Sequence, residues 1–196
     1  MTGGRKDRFY YLAKARNYRS RAAFKLLELQ DKFSVISPGN RVLDIGGSPG
    51  GWSQVAHEIS GETVLCIDLN RVEEDEGIRY LKGDIMSPAF QDKLSMAMRE
   101  MGVEKFECII SDAMSHTSGN WSRDHASSYL ICEKVMEISL PLLAPGGNVV
   151  VKQFGGDLTP KFLSHWSGKF RFSRVTSVGA TRRGSSEVYV IFKGFF

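Results

Sequence analysis

Four ionisable residues stand where apolar segments leave little room for charge. Lys152 closes the apolar run Val149-Val150-Val151, and Lys25 lies beside the apolar stripe of Ala23, Phe24, Leu26, Leu27 and Leu29. Glu187 opens a β-branched and aromatic run, and Asp112 closes another apolar run. A lysine in such a place needs an acidic partner or gives up its proton. Asp112 and Glu187 can be those partners, and a lysine brought toward neutrality can serve as a general base. For any one of the four, a structural ion pair is the plain alternative.

A second constellation is Asp44-Ile45-Gly46-Gly47-Ser48-Pro49-Gly50-Gly51-Trp52, between an apolar run and a helical pattern. Glycines at such a turn let the backbone approach a ligand closely. The pattern is not GxGxxG, because Ser48 takes the third position and Pro49 follows. A diphosphate wants backbone N–H groups at the helix start, and proline removes one. An uncharged or cationic ligand part fits better, and a sulfonium amino acid meets that description. Asp44, Asp68, Asp84 and Asp112 each end one of the first four apolar runs. Ligands of open α/β sheets bind at the carboxyl ends of strands. Asp68 lies 24 residues past Asp44, near the spacing at which an acid accepts from ribose hydroxyls. Asp84 is suited to an adenine amino group.

These residues need a scaffold, and the pattern around them supplies one. Residues 1–8 read as a flexible arm and 20–33 as a helix with Ser20 as N-cap. Strands are expected over 41–45, 62–68, 78–83, 106–112 and 148–152, and helices over 51–59, 88–102, 122–143 and 158–167. Pro145-Gly146-Gly147 reads as the turn that closes the long helix. Two final strands, 170–178 and 187–192, flank a basic loop over 179–186. Alternation of this kind predicts a doubly wound, mostly parallel α/β sheet whose last strand runs antiparallel. One domain is expected over 1–196, with 1–19 a basic N-terminal arm.

The 196 residues are 42% hydrophobic and 24% charged, which excludes a disordered or collagen-like chain. No apolar run is long enough for a membrane span, and the first residues do not read as a signal peptide. Cys66, Cys108 and Cys132 form no CxxC pair, so reduced, buried thiols in a cytoplasmic compartment are expected. His57, His116, His125 and His165 are scattered without ligand spacing, so no metal is expected. Charge is uneven. Residues 1–25 hold eight Lys/Arg against one acid, residues 26–160 eleven against twenty, and residues 161–184 six against none. If the fold joins the two basic ends, the surface favours a polyanion such as nucleic acid. Phe9, Tyr10, Tyr11, Tyr18 and Phe24 interleave the first segment and could stack on bases.

Four stretches together resemble the FtsJ/RrmJ (RlmE) family of S-adenosylmethionine-dependent RNA ribose 2′-O-methyltransferases. They are residues 18–29, residues 44–54, Ile110-Ser111-Asp112, and Val150-Val151-Lys152 with Ser185-Ser186-Glu187-Val188-Tyr189. The resemblance implies a catalytic tetrad of Lys25, Asp112, Lys152 and Glu187. It implies donor contacts at Gly46, Gly50, Trp52, Asp68, Asp84 and Asp112, and a seven-stranded Rossmann-like methyltransferase sheet. S-adenosylmethionine would be the methyl donor. RNA would be the partner, with a uridine of large-subunit (23S-type) rRNA the leading acceptor, as free rRNA or in the large subunit. A monomer with no metal and no membrane is expected. Two other readings are kept: a tRNA anticodon-loop ribose as acceptor, or a non-catalytic RNA-binding ribosome-assembly factor. The chain departs from the family at Ala113-Met114-Ser115-His116, where members carry a Met-Ala-Pro-like stretch, and His116 is a local donor candidate.

Overall fold

Strands that are apolar on both faces need cover on both sides. The computed structural model, which describes residues 6–114, 118–182 and 184–196, supplies it. Seven strands form one sheet: β1 (Val42–Ile45), β2 (Val64–Asp68), β3 (Ile78–Lys82), β4 (Phe106–Ser111), β5 (Leu143–Phe154), β6 (Phe170–Thr176) and β7 (Glu187–Phe195). Their order is β3-β2-β1-β4-β5-β7-β6. Strands β1 to β5 pair in parallel, and β7 is antiparallel to both of its neighbours. Helices α2 (Ala23–Phe33) and α3 (Gly51–Ser60) cover one face, while α4 (Phe90–Glu100), α5 (Trp121–Leu142) and α6 (Leu158–Ser167) cover the other. The doubly wound sheet with an antiparallel last strand is as the alternation predicts.

The period-two alternation of the strands decides where the charged residues point. Val42, Cys108, Val150, Tyr189 and Ile191 pack with α2 and α3. Leu43, Ile109, Val149, Val151 and Val190 pack with α4, α5 and α6. Asp44, Asp112, Lys152 and Glu187 share the phase of the first set. They therefore face α2, the helix that carries Lys25.

Several expectations are corrected. The stretch read as an arm contains α1 (Arg8–Ala15), whose first turn is capped by the Asp7 carboxylate accepting from Tyr10 N–H at 3.0 Å. Its Ala13 packs on Phe24 and Ala180. Ser20 does not cap α2. That place falls to Ala22, which offers no side-chain hydrogen bond. Pro145-Gly146-Gly147 is not a closing turn but part of β5, where the register slips: Leu143 pairs Phe106, and the next pair is Asn148 with Cys108. Asp44 lies inside β1, and Asp84 two residues beyond β3. Among the described residues, no helix is long and apolar enough to cross a membrane. His116, Ser115, residues 1–5 and Arg183 lie outside the described residues.

Candidate active site

The four residues of the expected tetrad come from α2, the end of β4, β5 and β7, and they meet in one chain of contacts. Glu187 Oε2 accepts from Lys25 Nζ at 2.7 Å. Lys25 Nζ is 3.7 Å from Asp112 Oδ1, and Lys152 Nζ is 3.3 Å from the same oxygen. Lys152 Nζ also donates to the Asp112 carbonyl at 2.6 Å. Register explains the meeting: Lys152 pairs Tyr189 and Phe154 pairs Glu187, so Lys152 and Glu187 are diagonal neighbours on one face. Lys25 is 7% exposed and Lys152 2%. Two lysines this deep require acidic company, and Asp112 and Glu187 provide it. Burial alone would raise the Glu187 carboxyl, but the adjacent Lys25 ammonium outweighs that and holds it below the usual carboxylate range. Tyr189 lies beneath, its ring 5.8 Å from Lys25 Nζ. Burial, with Asp112 and Glu187 adding, pushes its hydroxyl far up.

Asp112 also lines a cleft of about 580 Å³ at the carboxyl ends of β1, β2 and β4, within the usual range for a small-molecule site. Gly46, Trp52, Asp68 and Asp84 line it too. Gly50 does not. Its φ of 107° lets the chain turn into α3, and a side chain there would meet Arg19 rather than a ligand. Gly46, at φ 75°, packs so closely on Ala113 that any Cβ would collide. Trp52 is 2% exposed, and its Nε1 donates to the Ala22 carbonyl at 2.8 Å. It thereby ties the glycine turn to the helix of Lys25. Asp68 holds the turn by accepting from Ser48 N–H at 3.0 Å and from Asn70 N–H at 2.7 Å. Each of its oxygens keeps a second lone pair for a ligand hydroxyl.

Sequence reasoning missed part of the lining: Ser20, Leu69, Asn70, Met86 and Ile131. Leu69 and Met86 follow the acids Asp68 and Asp84 and are 60% and 57% exposed. Apolar residues just past strand-end acids were the available signal. Ser20 Oγ is buried in the lining with no hydrogen-bond partner, a polar atom left for a ligand to satisfy. An adenosine with an amino-acid arm fits this set: apolar cover, hydroxyl acceptors, and an unsatisfied hydroxyl beside the glycine turn.

A sheet with a reversed seventh strand, whose glycine turn and strand-end acids enclose such a cleft, defines an S-adenosylmethionine-dependent methyltransferase. Comparison with known proteins agrees. The chain belongs to the FtsJ-like methyltransferase family, whose model matches residues 18–195. A "Ribosomal RNA large subunit methyltransferase E" from Picrophilus torridus is 44% identical, over 96% of this chain and 97% of that one. The proteins of the same name from Thermoplasma acidophilum and Archaeoglobus fulgidus are 42% and 40% identical, over 100% and 97% of this chain and 95% and 97% of theirs. Among solved structures, one described as a ribosomal RNA methyltransferase of Plasmodium falciparum superposes with a TM-score of 0.82 at 27% identity, covering 91% of this chain and 98% of that one.

Proposed function

We propose that this methyltransferase modifies a ribose 2′-hydroxyl of large-subunit ribosomal RNA, with Lys25, Asp112, Lys152 and Glu187 as its catalytic residues. One observation carries the reading: Asp112 belongs at once to the donor cleft and to the buried lysine–carboxylate chain. A hydroxyl placed over Lys152 is therefore next to the donor. The names of the relatives support the acceptor. When bound, S-adenosylmethionine supplies an electrophilic methyl on a sulfonium. Asp68 would hold its ribose, Asp84 with Leu69 and Met86 its adenine, and Ser20 with the turn at Gly46 its amino-acid arm.

The remaining work falls to side chains. A ribose hydroxyl is a poor nucleophile until its proton leaves. Lys152 Nζ, in its amine form, accepts that proton as the oxygen attacks. Lys25, fixed by Glu187, donates to the hydroxyl oxygen and aims a lone pair. Asp112 keeps the two lysines in register and then balances the charge of the new ammonium. Alignment of oxygen and methyl supplies much of the rate, and the proton transfer about 10²- to 10⁴-fold.

The test uses methyl-labelled S-adenosylmethionine with free large-subunit rRNA, large subunits lacking ribose methylation, and tRNA. Label is expected in one 2′-O-methyl nucleoside from rRNA or subunits. Label in tRNA alone, or in a base, would overturn the acceptor. Lys152→Ala should lower turnover at least 100-fold and change donor affinity less than about threefold. Normal turnover by that variant would remove Lys152 from the mechanism.

A further inference from the structure

We propose that Trp121 is a stacking platform for a nucleobase of the acceptor RNA next to the methylated ribose, a positioning subsite outside the tetrad and the donor cleft. The inference rests on the ribose-methylation reading and deepens it by placing the acceptor strand.

Helix α5 returns from β4 to the start of β5, so its first turn stands at the carboxyl ends of the parallel strands. One row of the helix is bonded to the last residues of β5. Cys132 Sγ donates to the Lys152 carbonyl at 3.0 Å, and Ser128 Oγ accepts from Phe154 N–H at 2.9 Å. His125 Nδ1 lies 2.7 Å from the Phe154 carbonyl, and Leu158 N–H donates to His125 Nε2 at 3.2 Å. Nε2 therefore carries no hydrogen, and Nδ1–H is the donor to Phe154. Both ring nitrogens are engaged and Gly156 closes against the ring, so the imidazole cannot turn.

Trp121 is the next residue of that row. Its indole lies flat on the fixed imidazole, with centroids 5.3 Å apart and planes 10° from parallel, an offset stack. Trp121 is nevertheless 53% exposed, whereas Trp52 and Trp166 are 2% and 6% exposed. Leaving that much indole in water forgoes hydrophobic stabilisation. The cap of α5 does not need it, because Asn120 Oδ1 accepts from Arg123 N–H. An indole already held flat loses little freedom when a base settles on it. Along the strand direction, two strand residues and one helical turn separate Trp121 from Lys152, roughly 12 Å, and the Lys152 side chain lies on the opposite face of the sheet from α5. That is too far for the base of the target nucleotide itself and suits a neighbour. Arg123 is exposed beside it and can meet a phosphate.

The expected signal is direct, because Trp121 is the one exposed indole among the described residues. A single-stranded oligouridylate should quench tryptophan fluorescence, and an abasic ribose-phosphate oligomer of equal length should not. Trp121→Phe should remove the quenching. With unmethylated large-subunit rRNA, Trp121→Ala should raise the acceptor KM about 5- to 150-fold, the range for losing one base–aromatic stack. Trp121→Phe should restore it to within about threefold, and donor affinity should stay unchanged in both. Equal quenching by the abasic oligomer, or an unchanged KM in Trp121→Ala, would overturn the platform. Quenching by whole subunits but by no RNA would assign the indole to a ribosomal protein instead. A wild-type enzyme that labels no ribose would overturn the ribose-methylation reading, whatever the Trp121 variants do.

Discussion

Asp44 carries a carboxylate into the sheet interior, where Oδ2 accepts from Ser53 Oγ at 2.6 Å and Oδ1 has no partner. Burial pushes its pKa up from 3.8 to about 7; the Ser53 hydrogen bond opposes this, while Asp112 and Asp68 add to it. Below about pH 4 both folded and unfolded chains hold the proton, and the site costs nothing. As pH rises the unfolded chain ionises first, so stability falls until about pH 7 and is then level. The full loss is on the order of 4 kcal/mol. Glu187 acts in the opposite sense. Its lowered value stabilises the fold at neutral pH, and that contribution is lost as pH falls through the folded value. Asp44→Asn should therefore flatten the decline in melting temperature between pH 5 and pH 8 while leaving the acid limb in place. Melting curves that stay parallel for the two proteins across that range would refute this account of Asp44.

At the level of elements, Glu28 ties the Lys25 helix to the loop before β7. Glu28 accepts from Gly179 N–H at 2.7 Å and from Ala180 N–H at 2.8 Å. That loop leads to Glu187, the first residue of β7. Glu28→Ala should cost about 1–3 kcal/mol of stability by leaving donors unpaired. It should also raise the acceptor KM several-fold at unchanged donor affinity, and steady-state kinetics with a thermal melt would check both. This contact was not legible in the sequence, where Glu28 is one acid on a helix 151 residues from its partner. The strands were legible, because an unbroken apolar run such as Val149-Val150-Val151 has few other uses. So was the pairing of Lys25 and Lys152 with Asp112 and Glu187, since charge at the end of such a run is expensive. Helix α1 was hidden by its charge, although Asp7 before Phe9, Leu12 and Ala13 is a cap followed by an apolar stripe. The start of β5 was hidden because Pro145-Gly146-Gly147 has the composition of a turn and only strand pairing makes it a bulge. Gly50 resembled its neighbours in composition, and only its φ and the position of Arg19 separate it from the cleft.

Across the whole molecule, the fold brings the first basic segment against the loop end of the second, while Lys161, Lys169, Arg171 and Arg174 lie on or between α6 and β6. Arg21 Nη2 donates to the Ala180 carbonyl at 2.7 Å, and α1 packs on Ala180. The first basic segment and the basic loop before Glu187 thus form one wall beside the tetrad. The charge count overstates what that wall can offer to RNA. Arg19 is paired with Asp75, Arg21 with Asp7, and Lys25 with Glu187, so these cations hold the fold. Lys14, Arg16 and Arg182 are exposed on the same wall. If they meet phosphates, each adds about 0.7 to the slope of log affinity against log salt for a single strand. Replacing all three with alanine should make that slope shallower by about 2 and weaken RNA binding at low salt, with little change in melting temperature or donor affinity. Filter-binding titrations between 50 and 200 mM salt measure the slope. An unchanged slope would place the RNA on another face, and the track would then have to run from the tetrad over the turn after β5 toward Trp121 alone.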